Sequence, residues 1–191
     1  MRINTLLLAG IFLAAGQLQA QNTEQPESNS PGIKYHNQFS TGVLLGGEYG
    51  LVGGSLTSVH GIAIGVWTIG VGSGIEGYER WRVIPLFGSL TCHFRGYTRN
   101  SMFLSFNAGH SYGRLLLKTI DGIDLGDTKG GSLINPMIGY QLSGNKWNLY
   151  LSAGYKRQEI AGNYGSSGSP FRYSIDERIE RFMFQIGFGI R

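Results

Sequence analysis

Every second residue of the C-terminal segment is large and apolar. From Glu180 to Arg191, Phe182, Phe184, Ile186, Phe188 and Ile190 share one parity, and Arg181, Met183, Gln185, Gly187 and Gly189 share the other. A period of two is the signature of a strand with two unlike faces, because successive side chains point to opposite sides of a sheet. The pattern recurs along the chain. Trp147, Leu149, Leu151, Ala153 and Tyr155 alternate with Asn148, Tyr150, Ser152, Gly154 and Lys156. Ile134, Pro136, Ile138, Tyr140 and Leu142 alternate with Leu133, Asn135, Met137, Gly139 and Gln141. Met102, Leu104, Phe106 and Ala108 do so with Phe103, Ser105, Asn107 and Gly109, and Trp67, Ile69, Val71 and Ile75 with Thr68, Gly70, Gly72 and Gly74. No stretch keeps helical periodicity for three turns.

The chemistry of the two faces decides the solvent of each. The apolar parity lacks the Lys and Glu that a water-facing surface would carry, so lipid suits it better. The other parity is Gly, Ser, Asn, Gln and an occasional ion, which suits the narrow interior of a small barrel. The spacing predicts eight strands, at 36–48, 50–61, 64–77, 81–95, 101–114, 130–143, 146–159 and 178–191. An even number closes an antiparallel up-and-down transmembrane β-barrel with no edge left unpaired in hydrocarbon. Connections after the second, fourth and sixth strands are short: Ile62–Ile64, Gly96–Asn100 and Gly144-Asn145. Those after the third, fifth and seventh are Tyr78–Arg80, Leu115–Lys129 and Ile160–Glu177, two of them long. Short periplasmic turns opposite long extracellular loops are the habit of outer-membrane barrels. Trp67, Phe94, Tyr140, Trp147 and Phe188 then fall at the periplasmic interface, and Tyr112, Tyr155 and Phe182 at the extracellular one.

The N-terminus fits that compartment. Arg2 precedes an apolar run from Thr5 to Gly16, and Leu18-Gln19-Ala20 ends on a small residue, so residues 1–20 read as a signal peptide cleaved before Gln21. The run is too short for a permanent helical span, which needs about 20 apolar residues. The only cysteine is Cys92, so no lipid-anchor cysteine follows the signal and no internal disulfide forms. Residues 21–35, polar with Pro and Ser, read as a disordered periplasmic leader, and 36–191 as the barrel. Loss of Arg2 lowers the formal charge from +4 to +3, and no basic run interleaves with aromatics, so nucleic acid is not an expected partner. With 31 glycines and 23 aromatics in 191 residues, and 15% charged residues, the composition departs from an ordinary globular domain.

An ordered series of short motifs carries a resemblance. Ser58-Val59-His60-Gly61, Gly70-Val71-Gly72-Ser73-Gly74, Ile84-Pro85-Leu86-Phe87, Leu104-Ser105-Phe106-Asn107-Ala108-Gly109 and Leu151-Ser152-Ala153-Gly154-Tyr155 follow one another. Together they resemble the small outer-membrane β-barrel domain proteins of Bacteroidetes-type bacteria, within the wider OmpA/OmpX-like group. The resemblance spans 36–191 and implies location and fold rather than an activity. It departs at His110, where the family often has an aromatic, and at the end, where Gly189-Ile190-Arg191 replaces a terminal aromatic. Phe188 then stands in as the signal to the barrel-insertion machinery, an expected partner beside the lipids of the outer membrane.

Several residues invite a chemical reading. His110-Ser111 suggests a base and nucleophile for an outer-leaflet deacylase or acyltransferase, but adjacent strand residues diverge, so an interface-belt His is the better account. Glu48, Glu76, Lys156 and Arg181 have inward parity and are expected to pair as a salt-bridged plug rather than to line a selectivity filter. Asp121, Asp124 and Asp127 lack the alternate spacing and downstream Glu of an EF-hand and read as turn formers. His36, His60 and His93 show no metal-ligand spacing. The expectation is therefore a non-enzymatic barrel, without catalytic, metal or cofactor-binding residues. Its role is structural, or surface interaction with a ligand taken through loops 115–129 and 160–177. A lipid-modifying enzyme and a narrow channel are the alternatives.

Overall fold

A computed structural model describes residues 32–46, 52–78, 81–115, 119–120, 123–124, 128–165 and 172–190. The signal-peptide expectation and most of the leader lie outside these residues. So do Glu48, Asp121 and Asp127.

The strands are β1 (Lys34–Leu45), β2 (Val52–Ile64), β3 (Trp67–Gly77), β4 (Trp81–His93), β5 (Ser101–Leu115), β6 (Thr119–Ile120), β7 (Ile123–Asp124), β8 (Thr128–Ser143), β9 (Trp147–Gly165) and β10 (Arg172–Ile190). Eight of them close a barrel in the order β1-β10-β9-β8-β5-β4-β3-β2, every neighbouring pair antiparallel. β6 and β7 form a separate two-stranded pair within the β5–β8 connection. β1 bonds both β2 and β10, so the first and last strands seal the wall. The fold is the all-β, eight-stranded antiparallel barrel that the alternation implies.

The parity assignment holds around the circumference. Ile69, Val71, Leu86, Leu104, Ile138, Leu151, Phe184 and Ile186 face outward and are exposed. Thr68, Ser105, Asn107, Asn135, Asn148 and Gln185 face inward and are buried. This is a soluble protein's distribution turned inside out, with apolar surface outside and polar groups within. Interior volume is short, and glycine supplies it. A Cβ at Gly72 would sit 2.5 Å from the Phe87 ring, and one at Gly139 would overlap the Phe103 ring. Two bulky rings therefore fit inside because the facing strand carries hydrogen in place of a side chain.

Several boundaries differ from the sequence reading. β2 runs on to Ile64, and the turn is Gly65-Val66, where Gly65 takes φ +60°. A glycine reaches that left-handed geometry without strain, and it tightens the hairpin to two residues. β1 starts at Lys34, two residues inside the expected leader. The expected Ile160–Glu177 loop is largely strand: β9 and β10 stay paired out to Gly165 and Arg172. Beyond the apolar band a ladder needs only its backbone hydrogen bonds, so polar sequence there does not signal the end of pairing. Likewise β8 begins at Thr128, inside the expected 115–129 loop.

Candidate functional site

The lumen is the enclosed space in which a barrel could bind or conduct. At the long-loop end it is closed by an apolar cluster that includes Leu44, Trp81, Val83, Ile160, Ile179 and Met183, all buried. At the same level lies the ion pair. Glu76 on β3 and Lys156 on β9 point inward from opposite walls and meet, and both side chains are almost wholly buried. The Glu76 carboxylate also accepts from the Tyr78 hydroxyl at 3.0 Å and the Ser55 hydroxyl at 3.4 Å. Each charge is thus matched, which offsets the cost of leaving water. Arg181, expected in the same plug, is inward but donates to the Glu180 carbonyl at 3.1 Å instead.

The short-turn end is closed differently. Tyr97, in the turn between β4 and β5, is only 3% exposed. Its hydroxyl bonds His36 Nδ1 at 3.2 Å, its ring packs edge-on against His36 and His93, and its carbonyl accepts from Gln141 Nε2. His93 in turn bonds the Thr68 hydroxyl at 3.2 Å, and Tyr150 packs on Phe103. Between the two closures remains a void of about 30 Å³, lined by residues such as Gln38, Thr57, Asn107 and Gln185. That is room for roughly two water molecules. Tyr97 is missed by strand parity because it belongs to a turn; only tertiary structure folds it back.

On the outer wall, His110 and Ser111 diverge as strand geometry requires. Ser111 is fully buried, and His110 is exposed with its ring edge-on to Tyr112 at 4.9 Å. A different trio comes together on the lipid-facing side of β1 and β2. The Ser58 hydroxyl lies 2.9 Å from His60 Nε2, and His60 Nδ1 lies 2.6 Å from the Tyr35 hydroxyl, with the Phe39 ring edge-on to the imidazole. Ser58 and His60 share a parity and were open to inspection in the sequence. Tyr35 joins them only through the β1–β2 register.

A closed antiparallel barrel with an apolar exterior and a filled polar lumen defines the class: a small eight-stranded barrel of the outer-membrane type. The aromatic girdles agree, since Trp67, Phe94, Trp147 and Phe188 at one end and Tyr112, Tyr155 and Phe182 at the other are all exposed outward. Solved structures share this fold. The chain is similar to Neisserial surface protein A, with a TM-score of 0.59 at 12% identity over 83% of this chain and 98% of that one. It is also similar to the outer-membrane protein AlkL, solved in lipid bilayers, with a TM-score of 0.51 at 16% identity over 90% of this chain and 96% of that one. No family model matches the sequence, and no curated protein does.

Proposed function

We propose that this chain is exported, begins at Gln21 once matured, and serves in the outer membrane as a non-enzymatic barrel. Its role is structural or one of surface interaction, exercised at the long-loop end. The filled lumen carries this reading. A wall of eight strands closed above by an apolar cluster and below by Tyr97 encloses, among the described residues, a void of about 30 Å³, which argues against a conducting channel. Against the lipid-modifying alternative stands the divergence of His110 and Ser111. The Ser58–His60–Tyr35 chain does meet the distance a nucleophile and base require, about 2.6–3.2 Å. Its height argues against ester chemistry. Ser58 lies six residues inside the short-turn end of β2, about 15 Å along the axis of a strand tilted by about 40°, and so near the middle of an apolar band about 25 Å tall. There Ser58 and His60 satisfy one another in hydrocarbon, as polar groups in lipid must, and Tyr35 completes the chain from nearer the rim.

One preparation tests both halves of the reading. The refolded protein in a planar bilayer is expected to give no conductance steps, and in phospholipid vesicles to leave acyl chains intact. Discrete steps would restore the channel, and released fatty acid would restore the enzyme.

A further inference from the structure

The charges of the barrel are divided by end. Among the described residues, Lys34, Arg95, Arg99 and Lys146 lie at the short-turn end and no Asp or Glu does. Every described acid, Glu76 and Glu180 among them, belongs to the other half. None of the four cations has an acidic partner among the described residues, so the described part of this rim is positive where the wall leaves the lipid.

The rim is shaped as well as charged. Arg95, Thr98, Arg99, Asn100 and Ser143 line a depression of about 630 Å³ between the β4–β5 and β8–β9 turns. Two hydrogen bonds fix its walls: the Arg95 N–H donates to the Ser101 hydroxyl at 2.8 Å, and the Ser143 N–H to Asn100 Oδ1 at 2.7 Å. Farther along β5 and β8, a second hollow of about 820 Å³ crosses the outer wall over β8, β9, β10 and β1. Met102 and Tyr140, paired across β5 and β8, begin it one residue from Ser101 and three from Ser143. Ile138, Leu151 and Phe184 form its sides, and Ala153 keeps its floor low. A cationic hollow, without an acidic partner among the described residues, beside an apolar groove has the two-part form of a phospholipid.

We propose that this face is a binding site for one anionic phospholipid of the leaflet at the short-turn end. Arg95 and Arg99 hold its phosphate, Thr98 and Asn100 offer polar contacts to the headgroup, and an acyl chain lies in the groove over Ala153. Guanidinium suits the phosphate because its planar fork donates two parallel hydrogen bonds to an oxyanion. A zwitterionic headgroup brings its own cation into the same rim and is bound less well. The site rests on the barrel's being embedded in a bilayer, as proposed above.

The full chain is refolded into vesicles of equal phosphatidylglycerol and phosphatidylcholine, extracted in mild detergent, and its co-purified lipid weighed by mass spectrometry. Folded protein is selected by its shift on an unheated gel. The wild type is expected to retain phosphatidylglycerol in excess. Each of Arg95→Gln and Arg99→Gln is expected to lower that excess about fivefold, from the usual contribution of one cation near a charged surface. Ala153→Phe, which fills the groove but leaves the arginines, is expected to lower retention too, with Ala153→Leu in its place if the bulkier variant does not fold. Glycerol phosphate added in solution is expected not to displace the lipid. Unchanged retention in the arginine variants, or in the Ala153 variant, overturns the proposal, and so does full displacement by glycerol phosphate, which would mark a simple phosphate site. A wild type that never enters the vesicles would sink the membrane reading itself, an outcome separable from insertion without lipid preference.

Discussion

Glu76 and Lys156 show how one residue's meaning depends on what faces it. Each is an ion buried at an inward position of its strand, and alone either would be expelled or neutralised. Across the barrel they match, and the Tyr78 and Ser55 hydroxyls complete the carboxylate's bonds. Lys156→Met is therefore expected to cost about 3–5 kcal/mol, because it strands a buried carboxylate rather than merely deleting a contact. Glu76→Gln combined with Lys156→Met should recover most of that loss, since the neutral amide still accepts from Tyr78. Urea titrations of refolding in lipid vesicles measure both, and a double variant as unstable as the single one would show that burial of charge is not the cause. Inward parity marked Glu76, Lys156 and Arg181 alike in the sequence. Which of them would pair was not legible there, because partners from β3 and β9 are 80 residues apart.

A strand in this wall answers to two solvents at once, and β10 shows both. Its outward residues from Phe182 to Phe188 face lipid, with Ile186 lying within the band that the aromatic rings bound. Ile186→Arg is expected to destabilise by about 2–4 kcal/mol, the usual cost of a lipid-facing cation near the midplane. The inward face of β8 fails by a different mechanism: Gly139→Val would drive its side chain into the Phe103 ring and the Leu151 carbonyl. Overpacking of that kind costs about 1–3 kcal/mol. Refolding titrations of the two variants in vesicles and in detergent should separate them, since only the Ile186 variant depends on bilayer thickness. Equal losses in both media would mean that the apolar face meets something other than lipid. The alternation that identifies β10 stops where lipid stops, which is why its paired extension to Arg172 reads as loop in the sequence.

At the scale of the whole molecule the open question is which end meets the outside. Both chain ends of the barrel, at Lys34 and Ile190, share the short-turn end with Thr98, while Arg178 stands at the other. In a Cys92→Ser background, Arg178→Cys is expected to react with a membrane-impermeant thiol reagent on intact cells. Thr98→Cys should react only after the outer membrane is opened, and the reverse pattern would invert the topology. The sequence by itself determined the fold class, the strand count and the face each strand turns to lipid. Those follow from a period of two and a single choice of solvent, which are local properties that ten residues can display. Only tertiary structure decided that the lumen is shut, that Glu76 finds Lys156, and that Tyr35 finds His60. It also decided that the arginine hollow lies beside an apolar groove. Each of these joins residues from different strands, and their meeting depends on register and closure, which no single segment encodes.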